Sequence, residues 1–289
     1  MSPSPSRPSR RVALRERSWL LLAMLIAPLL GAFLTAGPAA AAPAFPPQPV
    51  DRIGPGVQLV THGVRCTAGF AFRDRAGRSY LGYAARCASP AGLRAVDGCR
   101  HRSWPRGTRV RVVTDAVDDR RGRTLAVGVL RYSSWLAMRE SGTRGRQACR
   151  NNDFALVRLP VAPSRVVPTL DYWDGPVAAG TLPGAGHDLL GCTAQVVTRV
   201  RTLAPGALRI RQVWRWGART IPAPGLRSDV GAGFVDDRGR AAGILLAGHE
   251  GRRTRVTSLE RVVDFARRHG VPGLRLVPGG APFHRTAVF

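Results

Sequence analysis

Pro224-Gly225-Leu226-Arg227-Ser228-Asp229-Val230-Gly231-Ala232-Gly233-Phe234-Val235-Asp236-Asp237-Arg238-Gly239 reads as an irregular loop, a short strand and a turn. Gly and Pro punctuate its first half, where regular structure is disfavoured. Phe234-Val235 is then followed by the turn-forming Asp236-Asp237-Arg238-Gly239 and by the apolar run Ala242-Gly243-Ile244-Leu245-Leu246, a strand-turn-strand signature. The same pattern recurs outward in both directions. Short β-type runs are expected at Val57–Val60, Ala68–Phe72, Tyr80–Ala84, Val110–Thr114, Leu125–Tyr132 and Phe154–Leu159, with a second series at Gln195–Val200, Leu208–Trp214, Gly233–Val235, Ala241–Leu246 and Thr254–Val256. Asp74-Arg75-Ala76-Gly77 is a further hairpin signal. Strands this short and this regularly spaced indicate an all-β sandwich or barrel, and the two series divide near Pro160 to Pro168.

One helix is expected, over 258–269. Thr257-Ser258-Leu259-Glu260 fits a capping box. Leu259, Val262, Val263 and Ala266 then share one face, Arg267, Arg268 and His269 sit at the negative end of the dipole, and Gly270 stops the helix. This helix should pack on the second barrel. Pro43 to Pro55 is expected to be an extended lead-in, with structure starting near Gly56, and 271–289 to be a surface tail.

The chain of 289 residues carries a formal net charge of +26, and all of its 44 basic residues are Arg. Its start combines Arg7, Arg10, Arg11, Arg15 and Arg17 with an apolar run from Trp19 to about Leu34 and the small residues Ala39 to Ala42, the pattern of a secretory signal over 1–42. Ser9-Arg10-Arg11-Val12-Ala13-Leu14 resembles a twin-arginine export motif. An uncleaved anchor is the alternative, for which the run falls short of the ~20 residues a bilayer needs. Losing the leader removes five Arg and Glu16 and leaves a strongly cationic chain, attractive to polyanions and acidic envelope polymers. The Arg are scattered, without aromatic interleaving or a nucleic-acid module, so specific nucleic-acid binding is not expected. Five cysteines in an exported chain imply disulfides with one thiol left over.

Three ordered segments carry a resemblance. Cys66-Thr67-Ala68-Gly69-Phe70 with Tyr80-Leu81-Gly82-Tyr83-Ala84-Ala85-Arg86-Cys87, then Asn151-Asn152-Asp153-Phe154-Ala155-Leu156-Val157-Arg158-Leu159, then the 224–239 loop resemble the trypsin-like (chymotrypsin-fold, S1-type) secreted serine proteases. Those read Cys-Thr-Ala-Gly-Phe, Leu-Thr-Ala-Ala-His-Cys, Asn-Asp-Ile-Ala-Leu-Val-Arg-Leu and Pro-Gly-Asp-Ser-Gly in order. The resemblance covers about residues 56 to 270. It implies two packed six-stranded antiparallel β-barrels, over 56–165 and 166–270, and a C-terminal α-helix. It also implies a Cys66–Cys87 disulfide, worth about 3 kcal/mol by chain entropy. Asp97-Gly98-Cys99, Gly107-Thr108 and Tyr132-Ser133-Ser134-Trp135 are similar to an actinobacterial-type subgroup, which implies Cys99–Cys149 and leaves Cys192 unpaired.

The catalytic positions depart from the family. Arg86 stands in place of the general-base histidine and cannot accept a proton. Val230 stands in place of the nucleophilic serine and has no lone pair. Asp153 matches the triad aspartate, Asp229 and Gly231 match the loop, and Ser228 replaces a glycine whose N–H helps form the oxyanion hole. Ser228 as a displaced nucleophile has no histidine at the expected base position. A carboxylate left alone at Asp153 would be costly to bury, so an Arg86–Asp153 salt bridge is expected. The rival is an Arg86 turned to solvent, with Asp153 held by backbone N–H groups or by Ser and Thr hydroxyls. His62, His101, His187, His249, His269 and His284 lack metal-ligand spacing, and no metal or cofactor is expected. The leading reading is a secreted pseudoprotease that binds an unknown protein or cell-envelope ligand. The alternatives are an active serine endopeptidase with an unrecognised catalytic arrangement, and an Arg-rich polyanion-binding surface protein.

Overall fold

The computed structural model describes residues 51–114, 122–169, 175–197, 200–221, 227–247 and 254–283, although the side chains of 192–197, 200–205, 227 and 247 are outside that description. The leader, His249, His284 and the Cys192 side chain therefore lie outside the described residues. Residues Ala44–Phe289 group into one compact unit.

The first half of this unit contributes β1 (Gln58–Thr61), β2 (Val64–Thr67), β3 (Phe70–Arg73), β4 (Ser79–Tyr83), β5 (Arg109–Val113), β6 (Thr124–Ser133), the short helices α1 (Ser134–Glu140) and α2 (Arg146–Asn151), and β7 (Ala155–Arg158). The second half contributes β8 (Ala178–Ala179), β9 (Asp188–Val197), β10 (Val200–Trp214), β11 (Gly217–Thr220), β12 (Gly233–Val235), β13 (Arg240–Ala247), β14 (Thr254–Ser258), α3 (Leu259–His269) and β15 (Arg275–Leu276). No described helix is long and apolar enough to cross a membrane.

The second sheet runs β12-β9-β10-β11-β14-β13, and the β12–β13 pairing closes it into a six-stranded barrel, with β8 added in parallel to β13. Leu189, Leu208, Ile210, Phe234, Leu245 and Val256 fill it. The first sheet runs β15-β3-β4-β7-β6-β5-β1-β2. No ladder joins its ends, but β2 and β3 are separated only by Ala68 and Gly69, so one bent strand serves both edges. The half-barrel is closed by continuous chain. Gly69 is required at the bend because a Cβ there would lie 2.5 Å from the Gly231 carbonyl oxygen, a distance no side chain tolerates. The sequence-expected strands are present, most with shifted ends, except Gln195–Val200: Val197 ends β9 and Val200 begins β10, and the two residues pair across a hairpin that an unbroken β-type run does not reveal. β2, β8, β11 and β15 are additional.

Both barrels use one turn device. In Asp74-Arg75-Ala76-Gly77-Arg78 the Asp74 carboxylate accepts the Arg78 backbone N–H (3.0 Å), Arg78 Nε (2.6 Å) and the Tyr80 hydroxyl (2.8 Å). In Asp236-Asp237-Arg238-Gly239-Arg240 the Asp236 carboxylate accepts the backbone N–H groups of Arg238 and Arg240 and the Arg240 Nε (2.7 Å). Gly77 and Gly239 both take a φ of 74°, the left-handed value that closes such turns without a Cβ penalty.

Three sequence expectations are corrected. The capping box does not form: the Thr257 hydroxyl donates to the Asn151 carbonyl (2.6 Å), and Ser258, the N-cap, makes no side-chain cap bond. Tertiary bonding has taken the hydroxyl that local capping would have used. The 271–289 segment is not a surface tail throughout, because β15 pairs antiparallel with β3, and Val271 and Leu274 are buried. Without periodicity, a two-residue strand leaves no pattern to read. Order also starts before Gly56, since Ile53 is fully buried and bridges Val166 in parallel. The α3 helix is where expected and packs on β13 and β14 of the second barrel, as well as on α1; its buried face, Leu259, Val262, Val263, Phe265 and Ala266, joins a core cluster that draws on both halves of the unit. Gly270 follows it because a Cβ there would lie 2.6 Å from the Tyr132 ring.

Burial pulls the Asp74 carboxyl upward, but the hydrogen bonds from Tyr80 and Arg78 outweigh it and hold the carboxyl below the usual aspartate range. A depressed folded pKa gives stability that is present above the unfolded pKa and lost as pH falls through the folded one. Asp74→Asn should therefore be less stable than the parent at pH 7, with the gap narrowing toward zero in acid. Urea titrations across pH 2 to 7 check this, and a gap that widened in acid would contradict it.

Candidate functional site

The 3-10 turn Ala85–Ala88 follows β4 and carries Arg86 and Cys87. Cys87 is bonded to Cys66 at the end of β2, and Cys99 to Cys149 in α2, so both expected pairings are made. Asp153 follows α2, whose last turn is closed by the Asn152 N–H on the Ala148 carbonyl (2.8 Å). Ser134 fixes the residues on either side of Asp153: its hydroxyl donates to the Asn152 carbonyl (2.7 Å) and accepts the Phe154 N–H (3.0 Å). From the second barrel, Thr257 holds the Asn151 carbonyl.

Arg86 and Asp153 meet. Arg86 Nε lies 2.6 Å from Asp153 Oδ2, and the Arg86 backbone N–H donates to Oδ1 at 2.9 Å. Their side chains are 2% and 1% exposed. The engagement differs from the expected guanidinium fork. One bond comes from the side chain and one from the backbone, so the expected salt bridge and the backbone contact of its rival coexist. Arg86 Nη2 is buried with no hydrogen-bond partner among the described residues, as are both amide atoms of Asn152.

Sequence reasoning missed Arg255, on β14 two residues before Thr257 and so on the same face of the strand. Burial, and then repulsion from Arg86 and Arg150, hold its guanidinium below the usual arginine range against the opposing pull of Asp153. One carboxylate thus serves a locally cationic group of arginines. The only signal in the sequence was an Arg between the β-branched residues Thr254 and Val256.

The loop containing Ser228, Asp229 and Val230 packs on the same region. Arg227–Asp229 form a 3-10 turn. The Thr67 N–H donates to the Val230 carbonyl (3.0 Å) and the Thr67 hydroxyl to the Ser228 carbonyl (2.8 Å). Gly231 has a φ of 101°, and a Cβ on it would lie 3.3 Å from the Ala84 nitrogen, so the loop abuts the chain two residues before Arg86. Val230 is 5% exposed and Asp229 1%. Among the described residues His62 alone is a non-glycine with positive φ, so Ser228 occupies a backbone conformation that needs no glycine. Asp97, Cys99 and Cys149 lie close enough to hold an ion, but both sulfurs are in a disulfide and the Asp97 carboxylate accepts the Cys99 N–H (3.0 Å). A disulfide has no thiolate to ligate a metal.

The fold is thus an antiparallel half-barrel packed with a closed six-stranded barrel and completed by a C-terminal helix, as the resemblance implied. No protein-family profile and no curated protein sequence matches the chain. Solved structures do. The chain is similar to a Nocardiopsis protease (17% identity, TM-score 0.46, covering 78% of this chain and 98% of that one) and to Thermobifida fusca protease A (18%, 0.44, 79% and 100%). It is also similar to a scabies mite inactivated protease paralogue (9%, 0.44, 73% and 90%).

Removing one partner of a buried pair leaves the other charge uncompensated. Asp153→Ala should lose about 3–5 kcal/mol, whereas joint replacement of Arg86 and Asp153 by Met and Leu should cost less than the sum of the single changes. Denaturant unfolding of the parent, Asp153→Ala, the two single Met and Leu variants and their combination measures this; additive costs would show that the two charges do not stabilise one another.

Proposed function

We propose that this chain is an exported pseudoprotease: a chymotrypsin-type scaffold without peptidase turnover that acts by binding a protein or envelope ligand. One observation carries the reading, the buried Arg86–Asp153 pair. In a working triad the aspartate orients an imidazole that takes the nucleophile's proton. Here Asp153 is consumed by a permanently charged guanidinium, which has no basic lone pair. Val230, apolar and nearly buried, offers no nucleophile beside it. Loss of either base or nucleophile in a related triad costs about six orders of magnitude in turnover. Two disulfides support an oxidising, extracellular destination. The rest of the fold is kept: both barrels, both bridges and the loop docked on Thr67 remain, which is what a binding protein needs.

Incubation with a fluorophosphonate probe should give no labelling. Stoichiometric labelling that one serine substitution abolishes would overturn the proposal. The joint change Arg86→His and Val230→Ser should restore little activity, because the Arg227–Asp229 turn accommodates Ser228 without glycine geometry and is not built around a glycine-dependent oxyanion hole. Peptide hydrolysis at the rate of an ordinary serine protease would show that the loop had stayed competent.

A further inference from the structure

The β1–β2 connection is a two-residue turn in which Thr61 pairs with Val64, and His62 and Gly63 take φ values of 46° and 79°. Positive φ at both central residues defines the type I′ hairpin, whose twist matches the strands it joins. His62 thus sits in a left-handed conformation that few side chains take, and its imidazole stacks on Trp104 with ring centroids 4.2 Å apart. The turn tip is braced against the segment that leads into β5.

Next to this tip, the register places Val60 opposite Arg111 and Arg111 opposite Val127, so the three side chains share one face of the sheet. Arg109 lies two residues earlier on β5 and points to the same face. With His62 and Thr108 they line a groove of 510 Å³. Its lining contains no acidic residue, and Arg109, exposed, has no carboxylate partner among the described residues. Val60, 5% exposed, forms the floor between the charges, and the half-buried Val127 supplies apolar surface beside them. The lining includes neither Arg86 nor Asp153, and its use does not depend on whether that pair permits catalysis.

From this geometry we propose that the groove docks an acidic peptide segment, one in which carboxylates neighbour apolar side chains. The exposed Arg109 guanidinium can take a carboxylate through two parallel bonds, and Arg111, whose Nη2 donates to the Thr124 hydroxyl (3.4 Å), adds positive charge about 6–7 Å along the strand, the spacing of alternate side chains on an extended peptide. Val127 gives an aliphatic or aromatic side chain a place to shed water. A bare polyanion would leave that surface unused. The chain's net charge of +26 draws such a partner in at long range.

The test is fluorescence anisotropy with the purified chain and a fluorescein-labelled Glu-Glu-Leu-Glu-Glu-Phe peptide at about 50 mM salt. Its Gln-for-Glu counterpart, a heparin fragment and a single-stranded oligonucleotide serve as competitors. The expected result is saturable binding of the acidic peptide, at least tenfold weaker in Arg109→Glu and weaker again in Arg109→Glu with Arg111→Glu. Arg109 is exposed, so its single variant should melt at the parent temperature, which separates lost binding from lost folding. No binding, unchanged affinity in both variants, or equal binding of the Gln peptide overturns the proposal. So does tighter, Arg109-dependent binding of heparin or the oligonucleotide, which would assign the groove to a different class of ligand.

Discussion

Asp153 is a carboxylate with 1% of its side chain exposed, and a charge so placed constrains everything within reach. Its attraction to Arg86 offsets desolvation only if both groups are held in good geometry. The structure supplies that restraint from several directions. The disulfide beside Arg86 ties its turn to β2, the Ser134 hydroxyl clamps the peptide groups on either side of Asp153, and Thr257 reaches across from the second barrel to the Asn151 carbonyl. The barrels are therefore coupled through polar contacts at the Arg86–Asp153 pair.

The glycines at the barrel contact make the same point in apolar terms. Cβ atoms on Gly69, Gly231 or Gly233 would each lie within 2.5 Å of backbone across the contact. Backbone thus packs directly on backbone, leaving no room for the 231 loop to retreat. Its position is set by the scaffold even though the side chain it presents is a valine.

Much of this was legible in the sequence because the signals were local or pairwise. Alternating apolar runs and the Asp-to-Gly turns rest on residue types that fit few other arrangements, while the cysteine pairs and the Arg86–Asp153 partnership came from the resemblance of three ordered motifs. What escaped detection depends on contacts distant in the chain. Thr257 reads as part of a capping box until Asn151 is brought beside it. Leu274 and Arg275 read as tail until β3 offers an edge, Ile53 as linker until Val166 is its neighbour, and Arg255 as surface until α2 and the 3-10 turn close around it. The strand ends also moved by a few residues, because ladders stop where their partners do and not where a run of β-formers ends.

The strand β15 carries a consequence for how the chain reaches this state. Each Asp-x-x-Gly-Arg hairpin can close within a handful of residues, a local event with little loop entropy to overcome. By contrast, Arg275 must find Arg73 across some two hundred residues, so β3 remains an exposed edge until nearly the whole chain has been made. An uncovered edge is a template for unwanted pairing. The first half-barrel is accordingly vulnerable for as long as the second is being synthesised, and the C-terminal strand ends that interval. Order of assembly, and not thermodynamic weight, is what a two-residue strand at the end of the fold controls.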